Sequence, residues 1–208
     1  MLKTESINFT YDGVIKFNFP DIQLQKGESL LVLGESGVGK TTFIQILAGL
    51  LKSKSGEVEL CNTNYNSLSS KEMDQFRGKH IGMIFQKPYF VNNLDIMDNL
   101  LLSLYLSGKK QDKRRVKQLL DEIGLGDKLD SMPDTLSQGE QQRAAIALAM
   151  IKEPDLILAD EPTSSLDDTN CQKIITLLKE QSDKTKSQLI IITHDNRIKS
   201  QFNKSITL

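Results

Sequence analysis

The 208-residue chain contains no tryptophan, only two cysteines and five prolines, and no surplus of either charge, since 26 basic residues stand against 27 acidic ones. A formal net charge of −1 supplies no overall basic field, so nucleic acid is not an expected partner. Cys61 and Cys171 stand apart, without C-x-x-C spacing, in a chain that shows no signal sequence. That usage fits a reducing cytosol, and both read as inert, half-buried thiols. Long apolar runs are missing too. Leu94 to Leu106 is interrupted by Asp95, Asp98 and Asn99 and falls short of the ~20 residues of a membrane helix, so the chain is not expected to span a bilayer. No repeat, low-complexity tract or Pro/Gly/Ser linker marks a boundary, and residues 1–208 read as one domain. The basic run Lys109 to Arg115 precedes Val116, Leu119 and Leu120 at helical spacing and reads as a solvated helix face.

Glycine, by contrast, is concentrated where it matters. The stretch Gly34-Glu35-Ser36-Gly37-Val38-Gly39-Lys40-Thr41-Thr42 lies between the apolar run Ser29 to Leu33 and the helical run that starts at Phe43. Glycines without a Cβ let a tight loop turn its backbone N–H groups inward, and the helix that follows adds its positive end. Within the spacing G-x-x-x-x-G-K-T, Lys40 can reach the outer phosphates of a nucleotide and the Thr41 hydroxyl can bind Mg²⁺. The loop therefore reads as a cradle for a nucleoside triphosphate.

The alternation of apolar and polar residues in Glu5 to Tyr11 and Ile15 to Phe19, with Asp12-Gly13 as the turn, predicts a small antiparallel layer ahead of the cradle. Beyond it the patterns predict a helix over Phe43–Leu51, a strand over Gly56–Leu60, a helix over Lys71–Phe76 and a buried strand over Ile81–Phe85. Asp95–Leu106, Asp112–Ile123 and Glu140–Ile151 then follow helical period with no strand between them, which predicts an all-helical insertion at about residues 87–152. Asp155–Ala159 and Gln188–Thr193 are short and apolar, as buried parallel strands are, and flank a helix over about Asp168–Glu180. The expected fold class is α/β, with a mostly parallel sheet whose carboxyl ends carry the ligand site.

Two further stretches carry chemistry. Leu156 to Glu161 is an apolar strand ending in two carboxylates, an expensive pair to place beside a core. Next to the cradle, Asp160 can hold the Mg²⁺ hydration shell, and Glu161 can orient or deprotonate a water for attack on the γ-phosphate. Leu136-Ser137-Gln138-Gly139-Glu140 precedes the helix through Ile151. It has two readings: a capping box of Ser137 and Glu140, or a helix start whose hydroxyl and amides bind a phosphate. His194 follows the apolar strand at the ligand-binding edge. His80, a single histidine ahead of a strand, reads as an exposed residue without a ligand set.

In this order and spacing the motifs resemble the ATP-binding subunit of an ABC transporter, a P-loop NTPase of RecA-like fold, over essentially the whole chain. Gly34 to Thr42 resembles the Walker A motif, Gln86 the Q-loop, Leu136 to Glu140 the LSGGQ signature, Leu156 to Glu161 Walker B with the catalytic glutamate, Ser165-Leu166-Asp167 the D-loop and His194 the switch histidine. Arg77 to Gln86 and the Leu94 to Leu104 helix are similar to the lipoprotein-releasing and macrolide-export group. The resemblance implies ATP as substrate, with adenine on Tyr11 and phosphates on Lys40 and the loop amides. It implies Mg²⁺ held by Thr41, Gln86 and Asp160, and catalysis by Glu161 and His194. It further implies a head-to-tail dimer with a second ATP-binding subunit, in which Ser137, Gln138, Gly139 and Glu140 of one chain close on ATP held by the other and Asp167 links the two sites. A membrane permease would dock in a groove near Gln86, Tyr89 and Phe90, placing a cytoplasmic subunit peripherally on the inner face of the membrane. An ABC-type ATPase that regulates a membrane partner without transport is the alternative. Two positions depart from the pattern: Gln138 and Glu140 replace Gly and Gln of the signature, and Ala147-Leu148-Ala149 replaces Ala-Arg-Ala.

Overall fold

The computed structural model describes residues 1–208 apart from Asp12, Val14, Ile15 and Ser165. The predicted Asp12-Gly13 turn, the start of the Ile15 strand and the first residue of the Ser165-Leu166-Asp167 motif therefore lie outside the described residues. In chain order the strands are β1 (Leu2–Thr10), β2 (Lys16–Asn18), β3 (Gln23–Leu24), β4 (Ser29–Leu33), β5 (Ser55–Leu60), β6 (Thr63–Asn64), β7 (Ile81–Ile84), β8 (Leu156–Asp160), β9 (Gln188–Thr193) and β10 (Ser205–Thr207). The α-helices are α1 (Lys40–Leu47), α2 (Ser70–His80), α3 (Ile96–Leu106), α4 (Lys113–Glu122), α5 (Gln138–Met150) and α6 (Asp168–Thr185).

The strands form two sheets. The first is antiparallel, in the order β2-β1-β5-β6 with β3 also paired to β1. Strand β1 begins at Leu2, earlier than its alternation predicts, because the alternation changes phase inside it: Leu2 and Thr4 are buried, and so are Ile7 and Phe9. A one-residue slip would turn one pair outward. The register shifts between Glu5 and Asn8, with Ser6 at φ 49°, so a bulge keeps both pairs on the core face. Gly56 accommodates that bulge, since a Cβ there would stand 2.4 Å from the Ser6 carbonyl oxygen.

The second sheet is parallel throughout, in the order β10-β4-β9-β8-β7. Its inner strands are buried on both faces, which is why they read as unbroken apolar runs. The two-residue period divides them: Leu30, Val32, Leu158 and Ile190 pack with α1 and the antiparallel layer, while Leu31, Leu33, Ile157 and Ile191 pack with α6. Between β7 and β8, helices α3, α4 and α5 share a core of their own built from residues such as Ile96, Leu100, Val116, Leu120 and Ala144.

Helix boundaries moved for local reasons. α1 starts at Lys40 rather than Phe43 because Gly39, at φ 98°, takes the left-handed N-cap position. α2 runs past Phe76 to His80 after a capping box of Ser69 and Glu72 sets its start. α6 continues to Thr185, where Lys186 at φ 54° turns the chain out of the helix. β3, β6 and β10 are two or three residues each, too short to carry a sequence period.

Candidate functional site

Strands β4, β9 and β8 are neighbours and parallel, with Leu33 opposite Thr193 and Asp160 opposite Ile192. Three segments far apart in sequence therefore end at one edge: the Gly34–Gly39 loop, Asp160-Glu161 and Thr193-His194. Helix α1 leaves the loop with no side-chain cap and no acidic residue in its first turn. Its first N–H groups are thus free to bind an anion.

Lys40 is only 8% exposed, and its ammonium donates to the carbonyls of Gly34 at 2.7 Å and Glu35 at 3.0 Å. The same Nζ lies 3.5 Å from Glu161 Oε1. Glu161 takes a left-handed backbone, φ 48°, and is 9% exposed, so its carboxylate needs partners. Oε2 accepts the Thr193 hydroxyl at 2.7 Å; Oε1 accepts the His194 N–H at 3.2 Å and faces His194 Nδ1 at 2.8 Å. The Glu161 carboxylate at this edge is therefore held from three sides.

Asp160 is less well matched. Its Oδ2 accepts the Thr41 hydroxyl at 3.5 Å, and burial, with the adjacent Glu161 charge, raises its carboxyl above the ordinary Asp value. A carboxylate disfavoured in that way gains most from a bound cation. The neighbouring donors, a Thr41 hydroxyl and the Gln86 amide, are hard oxygen ligands of the kind Mg²⁺ takes, so the residues present fit the ion. Gln86 donates to the Ser164 hydroxyl at 3.2 Å.

A cleft of about 360 Å³ unites this edge, lined by Phe17, Ser36, Gly37, Gly39, Lys40, Thr41, Thr42, Gln86, Asp160, Glu161 and His194. Gly34, Glu35 and Val38 line an adjoining depression that shares His194. Tyr11 is 56% exposed and does not line the cleft; its hydroxyl lies 3.0 Å from the Thr42 hydroxyl and its ring meets Phe9 and Phe17 edge-on. Phe17 was missed in the sequence because its alternation with Phe19 reads as strand core. Here it lies over Gly39, where a Cβ would come within 2.6 Å of its ring. Thr193 was missed as well, though its place one residue before His194 is a usable signal.

Ser137, Gln138, Gly139 and Glu140 are not brought to this cleft. They form the start of α5, where the Ser137 N–H and O–H both donate to Glu140 Oε2, at 2.8 and 2.6 Å. Those bonds, with Lys128 at 3.5 Å, pull the Glu140 carboxyl down to about 2. Asp167 caps α6 by accepting from Asn170. Tyr89 is 69% exposed, whereas Phe90 is half-buried against the α3–α5 core. Both line a groove of about 600 Å³ with Leu50, Arg77 and residues of α3 and α5. His80 is a correction: it is not a free residue ahead of a strand but ends α2 with its Nδ1 2.7 Å from Asp155 Oδ2, and Cys61 lies beside the pair.

The ABC transporter family profile matches residues 17–164. The chain is 34% identical over 207 residues to the lipoprotein-releasing system ATP-binding protein LolD of Treponema denticola, covering 99% of this chain and 92% of that protein. It is 35% identical over 177 residues to the bacitracin export ATP-binding protein BceA of Halalkalibacterium halodurans, covering 84% and 70%. Among solved structures, an ATP-binding cassette captured as a dimer in a post-hydrolysis state with ADP and Pi superposes with a TM-score of 0.89 at 30% identity, covering all of this chain and 94% of that one.

Proposed function

The chain belongs to the ABC transporter ATPase family, and from that premise we propose that it binds and hydrolyses ATP to power a membrane permease, working as a head-to-tail homodimer with two composite sites. The whole of residues 1–208 is one cassette in this reading, with residues 87–152 as its helical subdomain. The observation that carries it is the Glu161 carboxylate, buried yet bonded to Thr193 and His194, with Lys40 at 3.5 Å and the uncapped start of α1 beside it.

Each residue then has a task. The loop amides and Lys40 hold the β- and γ-phosphates, the ammonium exchanging its carbonyl partners for phosphate oxygens. Tyr11, exposed at the rim, takes the adenine, with Phe17 beside it. Thr41, Asp160 and Gln86 hold Mg²⁺, which when bound supplies positive charge against the phosphates. Glu161 orients water and accepts its proton, and His194 steadies Glu161 and the γ-phosphate. Ser137 and Gly139 close on ATP held by the second subunit, and Asp167 couples the two sites.

Glu161→Gln keeps the shape and removes the base, so turnover should fall by roughly 10²–10⁴-fold while ATP binding persists. The variant should elute as a dimer in ATP and a monomer without it. Hydrolysis at the wild-type rate would remove Glu161 from this role.

No helix among the described residues is long and apolar enough to cross a membrane. Attachment is therefore assigned to a permease helix seated in the Tyr89 and Phe90 groove, on the inner face of the membrane, with Gln86 linking groove to cleft. Replacing Tyr89 and Phe90 together by Ser should leave basal ATPase nearly intact and abolish co-purification with the membrane partner. Continued assembly would place the docking surface elsewhere.

A further inference from the structure

The amino edge of the parallel sheet, opposite the nucleotide cleft, carries a second group of reactive side chains. Ile81 of β7 pairs with Leu156 of β8, so the residues just before them, His80 and Asp155, stand side by side. The two-residue turn between β5 and β6 adds Cys61. One ligand atom from each of Cys61, His80 and Asp155 lies within 4.8 Å of the other two.

The surroundings favour this arrangement. Cys61 and Asn62 both take left-handed backbone, φ 52° and 60°, in a tight hairpin turn where asparagine and glycine are the usual residues. The Phe76 ring packs on the imidazole with centroids 4.4 Å apart, which restrains its orientation. The His80 and Asp155 side chains keep 20% and 34% of their surface open to solvent, enough for an ion to enter. A thiolate, an imidazole and a carboxylate together form a mixed sulfur, nitrogen and oxygen set. That set suits Zn²⁺, with bonds of about 2.0–2.3 Å, and not the oxygen-seeking Mg²⁺ of the cleft. Its two negative ligands also match the charge of a divalent ion.

We propose that Cys61, His80 and Asp155 form a three-ligand zinc site, with water in the fourth position, that ties the β5–β6 hairpin to the start of β7 and β8. Binding draws the three ligand atoms together around the ion and replaces the direct His80–Asp155 bond with two metal bonds. Because β8 spans five residues, the site lies on the order of 15 Å from the cleft, so it acts as a staple between the two sheets and not in catalysis.

Cobalt(II) titration of the purified full chain, without nucleotide and with a phosphine reductant, tests this directly. One Co²⁺ per chain should bind with a thiolate-to-cobalt charge-transfer band and tetrahedral d–d absorption; zinc should displace it and raise the unfolding temperature. The oxygen ligands of the cleft cannot produce the thiolate band. Cys61→Ser should lose the band and Cys171→Ser should keep it. Asp155→Asn, which still offers His80 a hydrogen-bond acceptor, should keep the wild-type circular dichroism and lose stoichiometric binding, a second route if Cys61→Ser does not fold. Absence of the band in the wild type, its survival in Cys61→Ser, or unchanged cobalt binding by folded Asp155→Asn would overturn the proposal.

Discussion

Helix α1 begins on Gly39 with no side-chain cap and no acidic residue in its first turn, whereas α5 begins on Ser137 with the Glu140 carboxylate bonded back onto it. The second arrangement is the ordinary one: α2 starts the same way, with Ser69 donating to Glu72. An uncapped helix start leaves its amide donors and its positive end for a ligand, and a capped one satisfies them internally. The α1 end is also surrounded by groups at the ends of three strands, while at the α5 end Glu140 is held by Ser137 of its own helix start and by Lys128. In the proposed dimer, one half of a composite site is thus assembled within the chain, and the α5 half would give up part of its own bonding to a phosphate from a second chain, against the Glu140 charge.

The contrast can be broken first at the α1 end. Lys40→Ala removes the ammonium proposed to hold the phosphates and leaves Glu161 buried without its cation. ATP affinity should fall by about 100-fold, corresponding to the loss of a charge-assisted contact of roughly 2–3 kcal/mol. Binding of a fluorescent ATP analogue measures it, and wild-type affinity would undo the assignment of the cradle. Thr193→Val keeps the shape of a fully buried residue but removes the hydroxyl that Glu161 Oε2 accepts. Stability should drop by about 1–3 kcal/mol in urea unfolding, the cost of an unpartnered buried acceptor. An unchanged midpoint would mean that Thr193 does not hold the Glu161 carboxylate.

At the α5 end the expected effect is smaller and of opposite sign. Glu140→Gln keeps a capping side chain and removes the charge. The ATP-dependent dimer of the Glu161→Gln background should tighten by roughly two- to fivefold, the scale of a charge at a helix start. Weaker dimerisation would show instead that the Glu140 carboxylate helps to close the interface. The smallest effect concerns pH. With the folded value pulled down to about 2, the stability that Glu140 gains is fully present above the ordinary glutamate value and is lost only as pH falls toward 2. The ratio between the Glu140→Gln and parent dimer constants should therefore stay level between about pH 5 and 8, which sedimentation at several pH values can check.

Much of the first half-site was legible in the chain because its parts are local. The cradle is a run of consecutive residues, and Asp160-Glu161 and His194 each close an apolar strand, so period and punctuation alone place them at one sheet edge. Phe17 and Thr193 escaped because an aromatic or a threonine in an alternating or apolar strand looks like core; only the way β2 crosses above Gly39, and β9 lies beside Glu161, gives each its neighbour.

By itself, then, the sequence determined the loop, the order of the motifs and the alternation of strand and helix, since each depends on backbone preference and hydrophobic period over a few residues. Tertiary structure alone decided two things. It kept Ser137 to Glu140 away from the cleft of their own chain, and it gathered Cys61, His80 and Asp155 at one point. The last follows from the parallel pairing of β7 with β8 and from where the β5–β6 hairpin packs. Those are long-range registers, set by which apolar faces bury one another, and no local pattern around a single cysteine or histidine encodes them.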